Sequence, residues 1–522
     1  MGEATCAQKR FLLDTLGDAW CSGDHKRYLG SVSKGNRRGR EVKHFAEEFR
    51  QGGIEMKAMR RSRYYGPSGV IPVVFMVMVA VGMNPTRAKA QANEATTQGQ
   101  VTFARDVAPI LQQKCQDCHR TGSMAPMSLV TYEETRPWAR AIRQRVLTRT
   151  MPPWHLDKSL GIQHFKNDIS LSDEQIDTIV RWIDAGAPLG NPDDMPPPRV
   201  WPNDDGWQLA KQFGAPDLVI SSAPYTMPAH GQDVWWKPYT AVPVTEPRWV
   251  RAVEIRPATA AGRRIMHHVL ARLQQDEPDQ RSSLFVGTDT QNDGPGLLME
   301  WAIGKNYDIY RPNTGKLLLP GSHIWWELHL HAVGQEITDH AELAIYLYPK
   351  GQEPKYRTYL MAYGATQSDD GPLLDIRPNS IAETEGYHVL RRPARLENFQ
   401  PHMHLRGKAM SMEAILPDGS TQTLSYVDHF NFNWMINYIY ADDAAPVLPV
   451  GTVLHITAWH DNTVNNPNNP DPNQWVGWGD RTVDEMAHAW VNVTFISDED
   501  YQSWLTEHKS KQIASAAAPA RK

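Results

Sequence analysis

The chain has 522 residues, 22% of them charged and 41% hydrophobic, which is ordinary for a soluble globular protein but too long for one core, so about two to four domains are expected. Its formal net charge of −5 is unevenly spread: residues 1–90 hold 16 Lys+Arg against 8 Asp+Glu, leaving 38 against 51, a net of −13, in the remainder. An acidic remainder argues against nucleic-acid binding, and four cysteines in this length argue against a disulfide framework.

Residues 69–83, GVIPVVFMVMVAVGM, form an apolar run too short to read as a membrane span. Lys57, Arg60, Arg61 and Arg63 precede it, and small-residue sites Ala88-Lys-Ala90 and Ala90-Gln-Ala92 follow. That order is the one found in a secretory signal. The expectation is a signal peptide over 56–92, a true start at Met56 or Met59, and residues 1–55 lying upstream of the functional protein. A cytoplasmic tail on an uncleaved signal anchor is the alternative. Cleavage would remove Cys6 and Cys21, leave no stable membrane span and place the chain in the periplasm or outside the cell.

Residues 97–190 read as helical. Val107, Ile110 and Leu111 have helical spacing, as do Trp138, Ile142 and Val146. Ser172 and Gln175 form a capping box ahead of the stripe Ile176, Ile179, Val180 and Ile183, and Gly186 ends that helix. Between the first two helices lies Cys115-Gln-Asp-Cys-His119, the C-x-x-C-H pattern of covalent haem c attachment. Two thiols there can add to the haem vinyl groups, with the adjacent imidazole beneath the iron. The order helix, C-x-x-C-H, helix, terminal helix resembles a class I cytochrome c domain. Met151, in Thr150-Met-Pro-Pro-Trp154, is the expected sixth ligand, a thioether that raises the iron's potential. Met124, Met127 and His155 are the alternatives.

A Pro/Asp/Asn-rich stretch over 191–216 reads as a linker. Beyond it the hydrophobic period becomes two. Arg248–Ile255, His323–His331, Glu342–Tyr348, Val453–Trp459 and Trp490–Phe495 read as strands, and no long amphipathic helix is expected between 217 and 498. This predicts antiparallel sandwiches, jelly-roll-like in class, one over 217–365 and a second over 366–500. The tail, 501–522, turns Ala/Lys-rich from about 506 and is expected to be disordered.

Fourteen of the twenty histidines lie between His230 and His488. His402 and His404, two apart on a strand, share a face and can bind one metal. His329 and His331 share a face with His323, Trp325 and Glu327. Adjacent His267 and His268 point to opposite faces of a regular strand, so they can serve one metal only where the strand bends or ends. Imidazoles alone suit zinc or copper, whereas an added thioether, with Met486 the candidate, favours copper. His429, His455, His460 and His488 read better as hydrogen-bonded histidines of the sheet or groups behind a metal ligand. The long Asn/Asp/Pro-rich loop Asp461–Gln474 would line a cleft or cover an edge strand.

The order His267-His268, Glu327-Leu-His329-Leu-His331, Pro401-His-Met-His-Leu-Arg-Gly407 and Met486 resembles the copper type II, ascorbate-dependent monooxygenases, which include dopamine β-hydroxylase and peptidylglycine α-hydroxylating monooxygenase. The resemblance covers about residues 217–498. It implies two β-sandwich domains, each holding one copper, across a solvent-filled cleft. His267, His268 and His329 would hold an electron-transfer copper; His402, His404 and Met486 would hold the catalytic one. It implies O2-dependent hydroxylation of a C–H bond in a small-molecule or peptide substrate, with an external ascorbate-like reductant or redox protein as donor. The chain departs from the characterised animal enzymes in having no cysteine beyond Cys118, and so none of their disulfides, and in its haem motif, which would relay electrons to the His267/His268/His329 copper. The competing readings are a non-catalytic periplasmic electron-transfer or copper-binding protein, and a zinc hydrolase, for which the H-E-x-x-H helix is missing and the haem motif unexplained.

Overall fold

The computed structural model of the protein describes residues 99–121, 123, 125–201, 206–276, 296–302, 305–365 and 374–517. The expected signal peptide, the upstream segment and Met124 lie outside these residues. The described chain is mostly β-sheet in sandwich-like layers, with α-helices ahead of the strands and one behind them. No helix among the described residues is long and apolar enough to cross a membrane.

The leading helices are Ala108–Lys114, Ala139–Leu147 and Asp173–Asp184. They share a core of Phe103, Leu111, Ile142, Val146, Ile179 and Trp182. The capping box forms as expected: Ser172 Oγ accepts from Gln175 N at 3.2 Å, and Gln175 Oε1 accepts from Ser172 N at 3.0 Å. Trp138 differs from its expected place on an apolar stripe. It lies in the tight turn Arg136–Trp138 ahead of the helix and is 43% exposed.

The segment after Met151 leaves the helices and enters the β-region. Leu156 bridges Val427, and Phe165 bridges Tyr440. Trp154, Leu156 and Phe165 are buried in the core of the later strands, with Trp154 edge-on to Tyr438 at 4.8 Å. The Pro-rich stretch expected as a linker is docked at both ends. Gln112 Nε2 donates to Pro197 O, and Arg199 pairs with Asp117 inside the C-x-x-C-H motif. Leu209 and Phe213 pack on Ala252, Ala344 and Tyr346.

Two β cores follow. One gathers Val253, Ile255, Val269, Ile324, Trp326 and Ile345; the other gathers Leu396, Phe399, Met410, Ile456, Val491 and Val493. The expected strands form as Arg248–Pro257, His323–Leu330, Ala341–Leu347, Val453–Asp461 and His488–Phe495. Between 217 and 497 the described helix is the single turn Gly262–Ile265.

The two β-regions are one fabric. A sixteen-stranded sheet runs laterally from His323–Leu330 through Met266–Gln274, Gly296–Ala302 and Tyr356–Gly364 to His488–Phe495 and Asn398–His402. A separate four-stranded sheet, Ile381–Val389, Val453–Asp461, Gly407–Ile415 and Thr421–Val427, covers the second core. Strand alternation sends Val269, Ile324, Trp326, Val491 and Phe399 to the cores. It leaves Leu270, Leu297, Leu360 and Trp490 packed together on the other face, at the seam between the regions. A buried bond, Gln400 Nε2 to Glu300 Oε2 at 2.5 Å, also crosses that seam.

The tail differs from expectation. Asp498–Ala517 is one helix. Ser497 Oγ accepts from Asp500 N, three acidic residues occupy the first turn where the helix dipole favours them, and alanine, abundant in the tail, is the strongest helix former.

Candidate metal centres

His267, His268 and His329 converge. Their candidate ligand nitrogens all lie within 4.8 Å of one another. The obstacle posed by adjacent histidines is removed by a β-bulge. His329 pairs with His268, but the next residue, Leu330, pairs with Met266, so His267 is the extra residue of the bulge at the start of its strand. A bulge re-aims one side chain, and His267 Nδ1 comes to 3.3 Å from His268 Nδ1.

His329 is held on two sides. Its ring stacks on Trp235 with centroids 4.4 Å apart, and its Nε2 lies 2.9 Å from Asp233 Oδ2. Its Nδ1 is buried and has no hydrogen-bond partner. A histidine whose one nitrogen is engaged by a carboxylate while the other is left for a metal is the usual arrangement around a ligand. Burial pushes the His267 imidazole down to about 4 and the His268 imidazole well below the usual value, so both are neutral and able to ligate at ordinary pH. The donor set therefore fits a divalent or monovalent metal held by imidazole.

His402 ends its strand, and His404 follows two residues on, with ring centroids 5.4 Å apart. His404, buried, has Nδ1 3.1 Å from Asp484 O. His402 Nδ1 is buried without a partner. His402 pairs with His488 across the strands, and half-buried Met486 lies two residues ahead of His488, outside its strand. His331, not counted as a ligand, is half-buried just past the end of the His329 strand.

Other residues brace the two sets. The buried Glu485 accepts from the backbone N–H of His404 at 2.9 Å and of Arg406 at 2.6 Å, which shapes the His-Met-His-Leu-Arg turn. Arg406, buried, donates to Asn462 Oδ1 and Val483 O. The loop Asp461–Gln474 folds onto the same turn, with Asn466 Nδ2 donating to Leu405 O. Asp233 and Trp235 lie far from His329 in sequence, and nothing in their neighbours marks them. The secondary histidines separate. His429 is exposed; His455 lies under Tyr387 on the four-stranded sheet; His460, fully buried, has Nε2 at 3.2 Å from Met486 O; and His488 stacks on His402 at 4.7 Å.

Both histidine sets lie on the face of the sixteen-stranded sheet that carries Leu270, Leu297, Leu360 and Trp490. Phe432 connects them. Its ring stacks on His267 at 4.8 Å and 16°, and stands edge-on to His404 at 6.1 Å and 86°.

In the helical region, Cys115 and Cys118 are free thiols, half-buried. Burial pushes the Cys115 thiol up to about 12. His119 Nδ1 lies 3.3 Å from Met127 O, which leaves Nε2 for an iron. Met127 is thus engaged through its carbonyl, and Met151 is half-buried. His155 takes its backbone N–H to Tyr438 Oη at 3.2 Å, beside the second β core. Cys115, Cys118 and His119 fit a haem attached at the two thiols.

The chain matches no protein-family model and no curated protein. Among solved structures, the major capsid protein P2 from Bacteriophage PM2 aligns with 53% of this chain and 97% of its own length at 12% identity and a TM-score of 0.25. A putative alpha-L-fucosidase from Bacteroides ovatus aligns with 60% of this chain and 42% of its own length at 7% identity and a TM-score of 0.15. A structure of the infectious bursal disease virus Gx strain aligns with 54% of this chain and 71% of its own length at 10% identity and a TM-score of 0.17.

Proposed function

We propose that the chain is an exported haem- and copper-dependent monooxygenase that hydroxylates a C–H bond of a small-molecule or peptide substrate with O2. The observation that carries the reading is the convergence of His267, His268 and His329, with His329 Nδ1 unpartnered, on the same sheet face as His402 and His404. Bound copper would supply one-electron redox chemistry and O2 activation, and haem c would supply electron storage and relay.

In this reading His267, His268 and His329 hold the electron-transfer copper. Asp233 and Trp235 fix the His329 ring before metal arrives, so little ordering is required at binding. His402, His404 and Met486 hold the catalytic copper, with Glu485 and Arg406 bracing the turn behind them. Cys115 and Cys118 attach the haem, His119 ligates its iron, and Met151 is the ligand opposite. The segment Trp154–Phe165 ties that region to the β-layers. An external reductant or redox protein supplies the electrons.

Anaerobic stopped-flow mixing tests the relay. Copper-loaded protein with reduced haem should lose its reduced haem spectrum at a rate independent of protein concentration as Cu(II) is reduced. Failure of reduced haem to reduce bound copper rules the relay out. A second reading, a non-catalytic electron-transfer or copper-binding protein, is favoured by one fact: among the described residues, His/Cys/Asp/Glu side chains close into a compact cluster only at His267, His268 and His329. O2 uptake by the reduced, copper-loaded protein separates the two. Catalysis requires uptake that Met486→Ala abolishes; an electron-transfer protein shows none dependent on Met486.

A further inference from the structure

We infer that Phe432 is a positioning residue that fixes the separation of the two candidate metal centres. The inference rests on the copper reading above and adds a structural part that the resemblance does not imply, since there a solvent-filled cleft separates the coppers. Here one aromatic ring touches a histidine of each set, face-on to His267 and edge-on to His404. Offset stacking and edge-to-face contact are the two favoured aromatic geometries, so the ring holds both imidazoles in preferred orientations.

The loop presenting Phe432 is built to hold it still. Phe430 and Trp434, on either side, pack against the second β core. Phe430 N donates to Lys408 O, and Gly407 leaves the space that Phe430 fills: a Cβ there would meet Phe430 Cδ1 at 2.7 Å. At the tip, Asn431 Oδ1 accepts from Asn433 N at 3.0 Å and Asn431 O accepts from Trp434 N at 2.9 Å. Such an Asx turn fixes the backbone of the residue it encloses, which is Phe432. The loop belongs to the strands of the His402 side, and its tip reaches the His267 bulge on the other. Its ring thus joins the two regions at the metal sites, while Leu270, Leu297, Leu360 and Trp490 join them along the seam.

The test uses the full mature chain loaded with Cu(II), and reads the dipolar interaction between the two ions by electron paramagnetic resonance. That interaction falls with the cube of distance and reports geometry rather than turnover. Wild type should give one narrow separation. Phe432→Ala, with two coppers still bound, should lengthen or broaden it by more than about 0.5 Å, the tolerance to which working sites are held. Phe432→Tyr should restore the wild-type value. Phe432→Leu, which keeps bulk but not the flat face, provides the same reading if the alanine variant does not fold. An unchanged separation with full copper in the alanine variant, or in the leucine variant where alanine does not fold, overturns the inference and leaves the copper reading standing. Wild type holding fewer than two coppers overturns the copper reading itself, and the inference with it.

Discussion

Asp233 Oδ2 sits 2.9 Å from His329 Nε2, while His329 Nδ1, on the opposite edge of the same ring, is buried with no hydrogen-bond partner. A carboxylate on the far nitrogen fixes both the tautomer and the ring orientation. Asp233→Asn should therefore lower copper affinity at the His267/His268/His329 set by about 10–100-fold and leave the His402/His404/Met486 set unchanged. Competition titration with a Cu(I) chelator measures both sites. Equal affinity in the variant would show that Asp233 only balances charge at the surface.

Trp154 is 6% exposed and meets Phe165 at 5.6 Å and Tyr438 at 4.8 Å. It is the first residue by which the segment after Met151 enters the second β core. Trp154→Ala should destabilise the chain by about 3–5 kcal/mol and free the 155–168 segment for proteolysis. Urea denaturation and limited proteolysis report the two effects. A stable variant with a protected segment would mean that the backbone bonds of this segment hold it without the indole.

Gly407 faces a crowded space, where an added Cβ would lie 2.6 Å from Met403 Cβ and 2.7 Å from Phe430 Cδ1. Neither neighbour can move without disturbing the second histidine set. Gly407→Ala should cost about 1–3 kcal/mol and weaken copper binding at His402 and His404. Thermal denaturation with and without copper checks this, since copper should stabilise the variant less than it does wild type. Equal stabilisation contradicts the prediction.

Lys316 is fully buried, with Nζ donating to Leu297 O at 3.0 Å and Leu298 O at 2.7 Å. Burial pushes its amine down to about 7, against about 10.4 in an unfolded chain. Between those values the unfolded chain binds more protons, so this residue makes stability rise with pH across that window; below about 7 the full cost of charging it is present. Stability of wild type relative to Lys316→Met should therefore increase from about pH 6.5 to about 9.5, by a few kcal/mol at most. Urea titrations at both values settle it, and parallel pH profiles contradict it.

Much of the fold is legible because local periodicity and burial agree. The 173–184 helix carries its own cap, and the strand around His329 alternates along most of its length, so their presence follows from spacing alone. The histidines that cluster are legible too, because two-residue spacing and an adjacent pair are local patterns. What is not legible depends on register. The bulge that brings His267 round to His268 arises from the Leu330–Met266 pairing, about sixty residues apart, and no residue near His267 encodes it alone. Asp233, Trp235 and Phe432 reach the histidines through tertiary packing, and an aspartate, a tryptophan or a phenylalanine in a loop has many ordinary reasons to be there. The joining of both β-regions through Tyr356–Gly364 and His488–Phe495 is equally a matter of long-range pairing. The tail's helix is not legible from its Ala/Lys-rich composition, because it depends on the Ser497 cap and acidic first turn.

The ratio of copper to haem iron decides between one metal centre and two. The mature, copper-loaded protein should contain two coppers per haem iron, falling to about one in Met486→Ala and in His267→Ala. One copper or none in wild type, or two in both variants, would contradict the two-centre account. The β-layers would then be a docking or packing module, with the C-x-x-C-H region as the only redox centre left to defend.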